Sequence, residues 1–181
     1  LRLVYAVDIS ERRQSELTLQ AQRHFLQSVL DGMGADICVV DEEGVIVKVN
    51  RAWREFGQRN GGVGELAGVG SHYLQVCERA AQSGDAGASV AARFADMLRA
   101  VLSGQREHFE LEYPCHGPDQ RRWFVARVTR IEGSRPARIV IAHDDVSALK
   151  LAQETLRESE ALLSDMTASI PGAVFRLAVA D

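Results

Sequence analysis

The chain carries three cysteines and five histidines, and their spacing argues against most of the chemistry those residues could do. His72 and Cys77 stand five positions apart on one expected helix, which puts them on different faces. Cys115 and His116 are adjacent in an expected hairpin tip, where neighbouring side chains diverge, and no second ligand pair accompanies them. No metal is expected. Cys115 reads either as an exposed, redox-sensitive thiol or as a solvated turn cysteine without function. His143, beside Asp144 and Asp145 near the end of an expected strand, is either a satisfied histidine or a group that answers to pH or bonds a ligand. Gly61-Gly62-Val63-Gly64 lacks both the lysine and the preceding apolar strand of a phosphate loop. Neither a nucleophile with its base nor a carboxylate pair facing one cleft is recognisable, and no phosphoacceptor helix or cyclase motif is seen. The expectation is a relay, not an enzyme.

Composition narrows the class further. With 181 residues, one main domain plus extensions is expected, and 46% hydrophobic with 25% charged residues is ordinary globular usage. A formal charge of −4 argues against a generally basic nucleic-acid binder. No window approaches the ~20 apolar residues needed to span a bilayer, and no secretory leader is visible, so no membrane contact is expected. The odd cysteine count, without a CxxC pair, fits a reducing compartment, and a cytoplasmic location is expected. The first residue is Leu1, and Leu1 to Val7 already reads as a strand, so the chain is expected to begin inside a larger protein.

The elements that must position these residues follow from periodicity. Ala35 to Val40 and Val45 to Val49 read as a hairpin around the Asp41-Glu42-Glu43-Gly44 turn. Asn50 can cap a short helix carrying Trp53 and Phe56, which ends at the glycine cluster. A helix from Ser71 to about Gln82 follows, and then a strong helical stripe from Val90 to Leu102. Phe109, Leu111 and Tyr113 alternate with His108, Glu110 and Glu112, the pattern of a half-buried antiparallel strand. Gln120 to Ile131 and Arg138 to Ala142 are the last two strands. The fold class is therefore α+β: a five-stranded antiparallel sheet in the order β-β-α-α-α-β-β-β, with helices grouped on one face.

The two ends repeat each other. Sliding the chain by 137 positions lays Asp8-Ile9-Ser10 over Asp145-Val146-Ser147, and the match runs on through Thr18 and Thr155. Both copies continue into a helix with a shared heptad: Leu19, Leu26 and Met33 in one, Leu149, Leu156, Leu163 and Ile170 in the other, with Val29 and Met166 at the second core position. Gln22 and Ser159 weaken the seam in both. Such a face suits either a parallel homodimer or an amphipathic helix packed on its own domain. Ser10 or Ser147, with the neighbouring Asp, can cap the helix that follows.

The turn-Gly-x-Ile-x-x-x-Asn stretch of Gly44 to Asn50, the Ala-aromatic after it, and the terminal Asp145-Val146-Ser147 resemble PAS domains. Glu112-Tyr113-Pro114-Cys115-His116 with Arg122-Trp123-Phe124 resembles PAS modules of bacterial multi-PAS sensor histidine kinases and cyclic-di-GMP enzymes. The resemblance implies residues 1–9 as the last strand of a preceding PAS domain and 10–34 as a linker helix. It implies a complete PAS domain over 35–147, a second linker helix over 148–169, and the first strand of a following PAS domain over 170–181. It also implies a cavity between the concave sheet and the helices, and coiled-coil-like linkers that dimerise.

The cofactor is left unknown. Haem is disfavoured because Ala91 to Leu102 lacks the histidine that haem-binding relatives use, and a photoactive flavin because Cys77 lies outside their reactive motif. Expected pocket candidates are Trp53, Phe56, Tyr73, Phe94, Leu98, Phe109, Leu111 and Trp123, each with ordinary core packing as the alternative. A small, mostly apolar organic ligand is the expected occupant, with Tyr73, Arg127 or His143 fixing a polar end. Signal relay is expected through Asp8 and Ser10 at one end and Asp145, Val146 and Ser147 at the other, toward a kinase or cyclic-di-GMP effector. A ligand-free dimerisation spacer is the alternative.

Overall fold

The computed structural model describes residues 9–59, 68–84, 87–116 and 120–168. The expected strands at the two chain ends, Asp8, Ile170 and the glycine cluster 61–64 lie outside the described residues. Helix α1 (Ser10–Asp31) leads into strands β1 (Asp36–Asp41) and β2 (Ile46–Val49). Helices α2 (Arg51–Arg59), α3 (Tyr73–Gln82) and α4 (Ala88–Leu102) come next. Strands β3 (His108–Pro114), β4 (Trp123–Arg130) and β5 (Arg138–Asp145) follow, and α5 (Ser147–Ala168) leaves the domain. The expected α+β order is borne out, and the five strands form one antiparallel sheet ordered β2-β1-β5-β4-β3.

Strand alternation decides which face is covered. On β5, Ile139, Ile141 and His143 are buried, and their cross-strand partners on β1 are Val40, Cys38 and Asp36. On the other side, His143 pairs with Ala126 and Ile141 with Val128, while Leu111 and Phe109 on β3 face Ala126 and Val128. These residues form the concave face, over which α4 lays Phe94, Ala95, Leu98 and Val101. Leu98, Val101, Val128, Ile139 and Ile141 are fully buried. Burial of each such side chain stabilises the fold by ~1.5–3 kcal/mol.

Two local devices fix the helical cover. In the β1–β2 turn, Asp41 Oδ1 accepts the Val45 N–H at 2.8 Å, and Gly44 adopts φ +81°, a left-handed conformation that glycine takes without strain. The Gly44 carbonyl then accepts the Tyr73 N–H at 2.8 Å, which anchors the start of α3. Asn50, fully buried, is the second device. Its Oδ1 accepts the N–H groups of Ile37 (2.9 Å) and Trp53 (3.0 Å), and its Nδ2 donates to the carbonyls of Ala35 (2.8 Å) and Leu30 (3.2 Å). One amide thus caps α2, as expected, and ties it to β1 and to the end of α1.

Candidate functional site

Among the described residues, the helices do not fill the concave face completely. A cavity of about 670 Å³ remains between α2, α3, α4 and the ends of β3, β4 and β5. Its aromatic wall is Trp53, Phe56, Tyr73, Phe94, Tyr113 and Phe124; Val76, Ala80, Val90 and Ala91 complete the apolar lining. The rings meet largely edge to face. Trp53 and Tyr73 lie 5.5 Å apart at 63°, Phe56 and Phe124 5.6 Å at 81°, and Tyr73 and Phe94 6.2 Å at 88°.

The polar part of the wall is small and ordered. His143 Nε2 is 3.1 Å from the Tyr73 hydroxyl, and His143 Nδ1 is 2.7 Å from the Tyr113 hydroxyl. Burial depresses the imidazole to a pKa of about 4, so at neutral pH the ring is uncharged and carries one N–H. That N–H donates to one tyrosine oxygen while the bare ring nitrogen accepts from the other tyrosine. Whichever tautomer is present, the accepting tyrosine keeps a hydroxyl hydrogen to donate elsewhere. For Tyr73 the neighbouring Cys77 thiol can take it; Cys77 is itself pushed up to about 12, chiefly by burial, and stays a thiol. For Tyr113 the cavity can take it.

Asp36, opposite His143 across β1 and β5, puts a half-buried carboxyl on the same wall, and burial raises it to about 6. At the mouth, Cys115 and His116 both line the cavity, although their adjacency argued that they diverge. His116 Nδ1 accepts the Arg122 N–H at 3.1 Å, and its ring lies 5.1 Å from Trp123. Burial raises the half-buried Cys115 thiol as well. Among the described residues, no three histidine, cysteine or acidic side chains cluster as a metal site.

Of the sequence candidates, Trp53, Phe56, Tyr73, Phe94 and His143 line the cavity. Leu98, Phe109 and Leu111 do not; they belong to the packed core beside it. Trp123 and Arg127 also need correction. Phe124, Ala126 and Val128 are the inward residues of β4, so Trp123 and Arg127 face the opposite side. There Arg127 pairs with Glu110 at 3.2 Å and with Asp144, and Trp123 lies under the Arg121 guanidinium, 4.7 Å away. The residues missed from sequence are Asp36, Cys77, Tyr113, Phe124, Cys115 and His116. Tyr113 had a signal, since it alternates in phase with buried Phe109 and Leu111.

The cavity wall continues into the exit helix. Asp145 Oδ1 accepts the Ser147 N–H at 2.9 Å, the Trp123 carbonyl accepts the Val146 N–H at 2.9 Å, and Ser147 Oγ accepts the Trp123 N–H at 2.9 Å. Ser147 therefore does not cap α5 through its side chain; Asp145 holds its amide while the hydroxyl is tied back to β4. Arg121 reaches Glu154 with two bonds of 3.2 Å, and Lys150 pairs with Glu112 at 2.6 Å, which seats the first turns of α5 on β3 and β4. Beyond the domain, Leu19, Leu26, Val29 and Met33 of α1 and its following turn are exposed, as are Leu149, Leu156, Leu163 and Met166 of α5.

A family model described as PAS fold matches residues 30–150. A protein of Rhodobacter capsulatus, described as an uncharacterized 104.1 kDa protein in the hypE 3' region, is 36% identical over 146 residues. That match covers 80% of this chain and 14% of the relative, so the chain spans about one seventh of the protein it matches. Among solved structures, the PAS domain of Bordetella pertussis BvgS is 19% identical, with 77% of this chain and 98% of that chain covered and a TM-score of 0.49. A sensory box sensor histidine kinase from Vibrio cholerae is 20% identical, covering 74% of this chain and 98% of that one at a TM-score of 0.41.

Proposed function

Because the chain belongs to the PAS fold family, sensory domains of signalling proteins, we propose that its cavity receives a small, mostly apolar organic molecule and that β5 passes the change to α5. One observation carries this reading: His143, the polar centre of the cavity, and Ser147, the first residue of α5, are four positions apart on one continuous segment. An occupant that hydrogen-bonds the Tyr73–His143–Tyr113 chain or presses on Phe124 acts on β5 and on the start of β4. Ser147 is tied to both. The shift it causes is as large as the occupant's difference in affinity for the two sheet geometries.

The output on this reading is a second copy of the chain and then an effector. The exposed leucines of α1 and α5 form seams for a homodimer, and the repeated Asp-[Ile/Val]-Ser at their starts supports neighbouring PAS domains on both sides, with residues 1–9 and 170–181 as their pieces. The effector is a histidine kinase, with a diguanylate cyclase or phosphodiesterase as the alternative; the support is the Glu112–His116 and Arg122–Phe124 patterns. No described helix is long and apolar enough to cross a membrane, and the three cysteines form no CxxC pair; both support a cytoplasmic placement.

Native mass spectrometry of the purified chain tests both halves of the reading in one spectrum. The expected result is a dimer mass carrying one additional small molecule per chain, released on acid denaturation. A dimer that takes up nothing, even from a mixture of small apolar compounds, would leave the domain as a spacer; a strict monomer would remove the seams.

A further inference from the structure

The cavity wall holds a carboxyl group among aromatic rings, and that combination is selective for charge. Asp36 lies on the concave face opposite His143 and lines the cavity together with Trp53, Phe56, Tyr73, Phe94, Tyr113 and Phe124. Ring faces carry negative potential, and a carboxylate beside them deepens it. No lysine or arginine lines the cavity among the described residues. Nor does any ion pair or hydrogen bond among them engage the Asp36 side chain. Asp36 repels an anionic occupant there, against which stand the Tyr113 hydroxyl and the Arg122 guanidinium 5.7 Å from the Phe56 ring, and a neutral occupant leaves the carboxylate poorly compensated.

From this geometry we propose that the ligand is a small protonated amine with an aryl or alkyl body, its ammonium placed against Asp36 and the aromatic rings and its apolar part against Val76, Val90 and Ala91. The assignment rests on the ligand-binding reading of the cavity given above. The ammonium N–H groups donate to the carboxylate, and the rings supply cation–π contact from the remaining sides. His143, held neutral by burial, adds no competing positive charge. The raised carboxyl of Asp36 fits the same picture: burial disfavours its charge, Arg59 of α2 favours it, and Asp145 and Asp144 of β5 and Glu55 of α2 oppose it. A cation in the cavity relieves that cost. Tyr73 and Cys77 of α3, Tyr113 of β3, and Cys115 and His116 at the mouth are the other titratable groups that line the cavity among the described residues.

The test is a nuclear magnetic resonance titration of the whole chain with three probes of matched size: phenethylamine, 2-phenylethanol and phenylacetate. Methyl signals of Ala80 and Ala91 report the cavity. At pH 7.5 phenethylamine is expected to bind at least tenfold tighter than 2-phenylethanol, with phenylacetate weaker than both. Asp36→Asn is expected to abolish that preference while leaving 2-phenylethanol binding within twofold, which also shows that the variant is folded. Between pH 7.5 and pH 5, protonation of Asp36 is expected to weaken phenethylamine about tenfold in the native chain. In Asp36→Asn that weakening is expected to be lost. Equal or tighter binding of 2-phenylethanol to the native chain overturns the amine assignment and leaves the ligand reading standing. A preference for phenethylamine that survives in Asp36→Asn does the same. Failure of all three probes to shift the cavity signals overturns both.

Discussion

Asn50→Ala is expected to remove about 3–4 kcal/mol of stability, a large fraction of the ~5–15 kcal/mol that holds a domain together. The loss has two sources. The Trp53 N–H at the start of α2 loses its cap, which costs ~0.5–2 kcal/mol. The buried Ile37 N–H and the Ala35 carbonyl lose their partners, each such orphan costing ~1–3 kcal/mol where water cannot enter, while the Leu30 carbonyl keeps the Met33 N–H at 3.2 Å. The sum is below the arithmetic total because α1, at the edge of the domain, can move to let water in. Urea unfolding monitored by the fluorescence of Trp53 and Trp123 and by circular dichroism measures it. Asn50→Asp, which keeps the acceptor for Ile37 and Trp53 but loses both donations, is expected to fall between the two. A loss below about 1 kcal/mol for the alanine variant would mean that Asn50 is not the joint between α1, β1 and α2.

Acidification is expected to destabilise the fold through His143. Its folded pKa of about 4 lies below the ordinary ~6.5, so between those values the unfolded chain takes up the proton and the folded chain does not. Stability from this group is fully present above ~6.5 and is lost as pH falls toward 4; between pH 7 and 4.5 the loss is about 2 kcal/mol. The groups facing the ring are Tyr73 from α3, Tyr113 from β3, Trp53 from α2, Phe94 from α4 and, across the strand, Asp36. Asp36 acts with the opposite sign. Its carboxyl, raised to about 6, binds a proton more readily in the folded chain, so its stabilising contribution is present at low pH and fades as pH rises through 6. The His143 effect is therefore seen undiluted in Asp36→Asn. Denaturation curves at pH 7 and 4.5 are expected to separate Asp36→Asn from Asp36→Asn with His143→Gln by the full 2 kcal/mol, the double variant being the less acid-sensitive. Equal acid sensitivity of the two would show that His143 is not buried neutral between its tyrosines.

What could be read from the residues divides along physical lines. Local signals were enough for the elements: the alternation of Phe109, Leu111 and Tyr113 gave β3 its inward face, and Asn50 before Trp53 marked a cap that the structure contains. The β4 face is ambiguous in sequence because Trp123 and Phe124 are both large and apolar, so alternation there starts from either of two residues. Arg127, exposed and paired with acids, shares the parity of Trp123 and would have decided it. The Tyr73–His143–Tyr113 chain could not be read at all. It depends on the register of three strands and on where Gly44 anchors α3, relations set by residues 30 and 70 positions apart. Asp36 was hidden for a related reason: an acidic residue at the start of a strand looks like turn chemistry until its partner across the sheet is known to be His143. Ser147 and the neighbouring Asp145 both read as caps of the exit helix on local grounds; Asp145 takes the role, because the sheet offers the Ser147 hydroxyl a partner at Trp123.

The link from cavity to exit helix is tested most directly by amide hydrogen exchange at Val146 and Ser147, with the cavity empty and with it saturated by phenethylamine or 2-phenylethanol. Both amides bond to groups of the cavity-bearing strands, Val146 to the Trp123 carbonyl and Ser147 to the Asp145 carboxylate. Filling the cavity is expected to change their exchange rates at least fivefold, with the Leu111 amide of β3 unchanged. A probe that binds, shifts the His143 ring signals and leaves exchange from Val146 to Lys150 within twofold of its starting value would contradict the coupling.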